Sequence, residues 1–289
     1  YTSKNGNKAL WSGVYKRVTA NINKDNAMKG QCKLCLKSDI ELRNSHIIPE
    51  FMYQKLYDEN PKRYYTLKIG EENQSKKIEQ KGIREYLFCD SCEGILNEFE
   101  TYAAETIYAK NYKNEALLKK ANQNYTQTVF LYEFENFDYP KFKLFQMSLL
   151  WRLIVSSKYD TIDIGQHTEK LRSAILCKNP LEEFQYGCFL QTILYEKGKL
   201  AIGFILNPFF SKYKDVDFMH ILIDGFMYSF SITDEQILPA DITDNFLKKS
   251  GTMNIIGRLI FDDRPLFEKV YKAYDFYKKE INDFTQQKS

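Results

Sequence analysis

Six cysteines occur in the 289-residue chain, and four of them fall into two Cys-x-x-Cys pairs, Cys32–Cys35 and Cys89–Cys92. The 53 residues from 36 to 88 separate the pairs. Two thiolates at this spacing can grip one ion from a tight turn, and two such turns complete a tetrahedral four-sulfur shell around zinc. Four unrelated buried cysteines, or two disulfides, are the competing accounts. Between the pairs lies His46, in the segment Ser45-His-Ile-Ile-Pro49. Glu93 directly follows the last cysteine at the expected start of a helix, and Asn97 and Glu100 fall on the same helical face. A histidine beside oxygen ligands suits metal-assisted phosphodiester cleavage: the imidazole takes a proton from water while a hard divalent ion steadies charge on the phosphate. The bland accounts are a buried histidine satisfied by backbone and a solvated helix face, and Glu100 is assigned to the latter.

The elements that must position these residues follow from the pattern. A strand is expected over Ile40–Ile48, stopped by Pro49, then a helix over Glu50–Glu59. Strands are expected at Tyr64–Ile69 and Ile83–Phe88, with a charged loop at Gly70–Lys81 between them. A helix should run from Cys92 to about Ala109 with Ile95, Leu96, Phe99, Tyr102, Ala103 and Ile107 as its apolar stripe. Residues 111–124 read as helix or connector, and Tyr125–Glu133 as a strand. Phe142–Ser157 is apolar nearly all round and reads as a buried helix. A helix over Glu169–Leu176 follows, then strands at Tyr186–Leu194, Leu200–Asn207, Phe218–Leu222 and Phe226–Ile232. Turn signals at Gly198-Lys199 and Asp224-Gly225 suggest an antiparallel sheet, with a further strand over Gly251–Ile260. Residues 1–31 read as a basic arm with a helical patch at Ala9–Val18, and Pro265 opens a last amphipathic helix. The expected class is α+β: an arm (1–30), a metal-stapled module (31–110) and an α+β domain (111–289).

Net charge is only +3. Its distribution is more informative: residues 1–31 carry six Lys or Arg against Asp25, and 61–84 carry seven against Glu71, Glu72 and Glu79. The basic excess is therefore concentrated around the cysteine region, which suits a nucleic-acid partner (DNA rather than RNA for a nuclease), while solvated lysines on loops explain each run equally well taken alone. No Gly-rich phosphate loop and no Ser or Cys nucleophile motif stands out. The opening Tyr1-Thr-Ser-Lys has no apolar signal core, and the most apolar run, Phe145–Val155, is too short to span a bilayer. No membrane association and a cytoplasmic, reducing compartment are expected, where paired cysteines serve as metal ligands. Cys177 and Cys188 are read as small core residues, and His167 and His220 as ordinary.

Residues 30–109 resemble the HNH endonucleases, in the subgroup whose structural zinc is held by four cysteines. The first Cys pair, an Asp-His-Ile-Ile-Pro-like segment and a second Cys pair opening a helix carry the likeness. It implies a ββα-metal unit on a treble-clef-like zinc finger, with His46 as general base. The residue before this histidine binds the catalytic metal in the family and is usually Asp or His; here it is Ser45, a weak ligand. The residue after the last cysteine matches Glu93, and the ligand one turn on matches Asn97. The resemblance implies structural Zn²⁺ and catalytic Mg²⁺ or Mn²⁺. The whole-chain layout is also similar to uncharacterised bacterial proteins labelled HNH-like, which implies a setting in phage defence. Residues from about 140 onward would serve dimerisation, target sensing or partner docking. The alternatives are an inactive zinc-stapled module that still grips nucleic acid, and a protein-interaction subunit.

Overall fold

The computed structural model describes residues 28–54, 56–57, 64–66, 77–79, 82–108, 118–124, 129–159, 163–196, 199–200 and 205–259. The expected N-terminal arm with its Ala9–Val18 patch (save residues 28–30), residues 70–76 and 80–81 of the charged loop and the helix opened by Pro265 lie outside the described residues.

Strands β1 (Lys29–Gly30) and β2 (Ile40–Glu41) pair antiparallel, with the Cys32–Cys35 turn between them. The strand expected over Ile40–Ile48 breaks at Leu42. That side chain turns into the core over Gly30, and its N–H bonds the Met28 carbonyl, so β3 (Arg43–His46) begins afresh. Of the helix expected at Glu50–Glu59, the described residues form a single 3-10 turn, Glu50–Tyr53. Phe51, Met52 and Tyr53 all pack inward in succession, a pattern that one face of an α-helix cannot satisfy. Strands β4 (Tyr64–Thr66) and β5 (Lys77–Glu79) pair antiparallel, so residues 77–79, expected as loop, are strand because they find a backbone partner in β4. Strand β6 (Arg84–Phe88) then pairs antiparallel with β3, setting His46 opposite Arg84 and Asn44 opposite Tyr86. Helix α1 runs Asp90–Ala103, starting two residues earlier than expected, and continues as a π-helical turn, Ala104–Tyr108.

Residues 118–124 form a strand, β7 (Leu118–Asn124), where a helix or connector was expected; pairing with β8 (Val129–Phe134) overrides their polar composition. Helix α2 (Tyr139–Val155) is capped by Asp138, whose carboxylate accepts from the Lys141 N–H at 3.2 Å. Every residue from Phe142 to Ile154 is buried. On one side Trp151 stacks on Phe88 of β6, with centroids 5.6 Å apart, and α1 packs alongside. On other sides lie α3 (Gln166–Leu176) and, through Gln146, Met253. One apolar core therefore runs from the cysteines through α2 into the large sheet.

The sheet's remaining strands are β9 (Cys188–Glu196), β10 (Lys199–Leu200), β11 (Ile205–Tyr213), β12 (Val216–Ile223), β13 (Phe226–Ser231) and β14 (Met253–Leu259), with a short helix α4 (Ala240–Thr243) before the last. Their order is β11-β12-β13-β9-β14-β8-β7, with β10 beside β9. The Asp224-Gly225 turn forms as expected, both residues at positive φ. One pairing departs from the antiparallel expectation: β14 lies parallel to β9 while antiparallel to β8. Cys188 is buried as expected, whereas Cys177 ends α3 exposed. Among the described residues no helix is long and apolar enough to cross a membrane.

Lys143 is an unusual occupant of this core, 1% exposed, and among the described residues it bonds only the carbonyls of Glu183 and Tyr186, at 3.3 and 3.2 Å. Burial pulls its ammonium down to about 7, against the charges of Cys188 and Glu183. The folded value lies below the unfolded one, so the unfolded chain binds more protons between about pH 7 and 10.5 and this site favours folding increasingly as pH rises. At about 1.4 kcal/mol per unit, the site contributes a gain of at most roughly 3 kcal/mol between pH 7 and pH 9.5. Lys143→Met should be the more stable protein at pH 7 and should lose that gain; denaturant titrations at the two pH values measure it.

Candidate metal centre and histidine site

Both cysteine pairs are placed by backbone turns. Cys32 and Cys35 occupy the tip of the β1–β2 hairpin, where the Leu36 N–H bonds the Cys32 carbonyl and Leu36 takes a positive φ. Cys89 is the N-cap of α1 and Cys92 lies in its first turn. The Cys89 N–H points at the Cys32 sulfur, 3.4 Å away, and Cys35 Sγ lies 3.8 Å from Cys89 Sγ. All four sulfurs lie within 4.8 Å of one another, so they form a group able to hold one metal ion. With metal–sulfur bonds of about 2.3 Å, a tetrahedral shell has edges of about 3.8 Å, and the donor set fits. Burial raises the thiols of Cys32 and Cys92 above their ordinary value. Burial works in the same direction on Cys89, yet hydrogen bonds from Ser91 and the Cys92 backbone pull it down to about 6. Four sulfurs this close need a cation between them before all can carry charge.

The same staple brings β3, β6 and α1 together. Arg43 of β3 forks onto Asp90 at the start of α1, through Nε at 3.1 Å and Nη2 at 2.8 Å. At the end of β3, Ser45 is 4% exposed and its hydroxyl donates to the Glu93 carboxylate on α1. Burial raises the Glu93 carboxyl above its ordinary value; Ser45, Arg152 and Arg43 pull it back, while Glu100 adds to the rise. Asn97, one turn on, is exposed. So Ser45 and Glu93 meet directly, and Asn97 lies on the same helix beyond them. Among the described residues the four cysteines are the one group of three or more His, Cys, Asp or Glu side chains close enough to share an ion.

His46 is half-buried, with Nε2 2.8 Å from Glu50 Oε2. Burial keeps its pKa below the ordinary 6.5, with Arg84 and Arg152 reinforcing that and Glu50 opposing it. The surroundings thus favour the neutral ring, the form that a general base requires. Its backbone carbonyl is gripped by Arg152 Nη1 at 3.2 Å. The same nitrogen pairs with Glu100 at 2.5 Å, and Nε bonds the Ser148 carbonyl within α2. Glu100, assigned to solvent from the sequence, is instead the counter-charge of a buried arginine. Arg152 and Glu50 are the two residues that sequence reasoning missed. The available signals were an arginine inside a largely apolar helix and a carboxylate four residues beyond the histidine.

His167 and His220 stand apart from this site. His167 bonds the Tyr186 hydroxyl at 3.0 Å. His220 links Ser211 and Ser229 across three strands, at 2.7 and 2.8 Å.

No protein-family model, curated protein or solved structure matches this chain.

Proposed function

We propose that the chain is a metal-dependent HNH-type endonuclease that hydrolyses phosphodiester bonds of nucleic acid, DNA rather than RNA. One observation carries this: a strand ending on His46, its antiparallel partner and the helix bearing Glu93 and Asn97 follow in ββα order, pinned by four converging sulfurs. In this reading the sulfurs hold zinc as a closed structural shell, because four soft thiolates leave no open position for substrate. Glu93 and Asn97, with Ser45 beside them, are the residues that would hold Mg²⁺ or Mn²⁺. That ion, when bound, supplies charge stabilisation at the scissile phosphate. His46 takes the proton from the attacking water. Exposed Lys29, Lys33, Lys37 and Arg43 surround the first cysteine turn and offer charge to a phosphate backbone.

A second reading has a specific observation in its favour. Ser45 is buried and committed to Glu93, so the position that would ordinarily bear an acidic ligand gives a hydroxyl already in use. That favours an inactive module that grips nucleic acid without cutting it.

Purified protein with Mg²⁺ or Mn²⁺ on supercoiled and linear DNA separates the two. Cleavage should fall about 10²–10⁴-fold in His46→Ala, with zinc still at one per chain. Binding that weakens steeply with salt, but no cleavage by wild type, would support the inactive module. Neither binding nor cleavage would leave a protein-interaction subunit.

A further inference from the structure

Glu50 has no part in the chemistry above, yet its carboxylate lies against the ring that does. We infer that Glu50, braced by Tyr57, is a positioning residue for His46, holding the imidazole proton on Nε2 and leaving the Nδ1 lone pair for the attacking water. The inference rests on the nuclease reading for its purpose, but its geometry stands alone.

Three features fix the arrangement. Glu50 opens the 3-10 turn immediately after Pro49, and the spacer from His46, Ile47-Ile48-Pro49, is wholly buried. The Ile47 N–H bonds the Ile83 carbonyl at 3.0 Å and Arg152 grips the His46 carbonyl, so both ends of the His46 peptide unit are tied to other elements. The Tyr57 hydroxyl lies 3.2 Å from each Glu50 oxygen, fixing the carboxylate in turn. Nε2 is sealed from solvent and sits 2.8 Å from Oε2, off the line of its N–H. Such contacts often lie loose before substrate arrives and straighten in the working complex. Nδ1 takes no hydrogen-bond partner among the described residues, and the side chain keeps 21% of its surface exposed. A carboxylate behind the ring selects the tautomer and orients the free nitrogen, as outer partners of working histidines do.

The chain has only three histidines, so ¹⁵N-histidine labelling of the full protein gives a readable spectrum. Wild type should show His46 protonated on Nε2, with that proton slow to exchange and shifted downfield. Glu50→Ala should abolish the protection, and Glu50→Gln, which keeps an acceptor, should retain part of it. On DNA, kcat should fall about 10–100-fold in Glu50→Ala with KM within about twofold, and Glu50→Gln should lie between. If Glu50→Ala does not fold, Tyr57→Phe should show a smaller loss of the same protection. A proton on Nδ1 in wild type, or a His46 signal indifferent to both variants, would overturn the proposal. A wild type that cuts nothing, with the Nε2 signal behaving as described, would defeat the nuclease reading and leave the positioning role standing.

Discussion

Cys92→Ser should abolish metal binding and unfold the segment from β1 through the helix α1. Cys92 is 2% exposed, and its sulfur is one of four that join the β1–β2 hairpin to the start of α1. These parts share few long strands: β1 and β2 are two residues each and β3 only four. Pairing so short supplies little stability by itself. Binding energies of about 10–16 kcal/mol are typical of structural zinc in small fingers, far above the loss of one buried side chain. Chelation should mimic the substitution. The measurement is metal content by mass spectrometry beside amide exchange over residues 28–108: protection there should collapse, while β12 and β13 in the large sheet retain theirs. Uniform loss across both regions would mean that the two halves unfold as one unit, and unchanged protection would mean that the sulfurs are ordinary core.

The second large effect is expected at Arg152. Its guanidinium is 2% exposed and its Nη2 has no partner among the described residues, so its stability depends on Glu100, the Ser148 carbonyl and the His46 carbonyl. Arg152→Met removes the charge but leaves Glu100 unpaired against α2 and strands the His46 carbonyl. Breaking such a pair costs about 3–5 kcal/mol, most of it from the abandoned charge. The double variant Arg152→Met/Glu100→Gln should recover a large part of the loss, because no ion is then left behind. Arg152→Lys should not substitute well, since an ammonium cannot span both acceptors with the planar geometry of a guanidinium. Urea titration of the four proteins tests this; a double variant no better than Arg152→Met would show that the pair contributes through packing rather than charge.

How much of this was legible beforehand depended on distance along the chain. The cysteines announced themselves because ligand spacing within a turn is local, and His46 because it lies between them before Pro49. Helix α2 was legible from its largely apolar run. Arg152 was visible there only as an interruption; its acceptor at His46 is 106 residues away, and no periodicity encodes such a partner. Glu50 was hidden differently. Spacing of four residues means proximity on a helix, but His46 ends a strand and Glu50 begins a turn, so only the rigid bend at Pro49 brings them together. Strand β7 was missed because Lys119, Lys120, Asn122 and Asn124 argue against a strand, and only the edge pairing with β8 overrides them. The parallel pairing of β14 was equally out of reach, since local pattern marks a strand without naming its neighbours.

That pairing carries a consequence for how the molecule comes into being. β14 sits between β9 and β8, so the sheet before its arrival is two separate pieces, β7–β8 and the β9–β13 group. A ribosome extrudes residues 129–231 well before residue 259, and until then β8 and β9 each lack the strand that pairs with them in the finished sheet. Long-range pairing of this kind is slow, and open strand edges invite the wrong partner. The four-cysteine part has all its sulfurs by Cys92 and can mature early, but the sheet must wait for its keystone. A nascent chain halted near residue 250 should therefore be recognised by chaperones as unfinished, whatever the state of its metal.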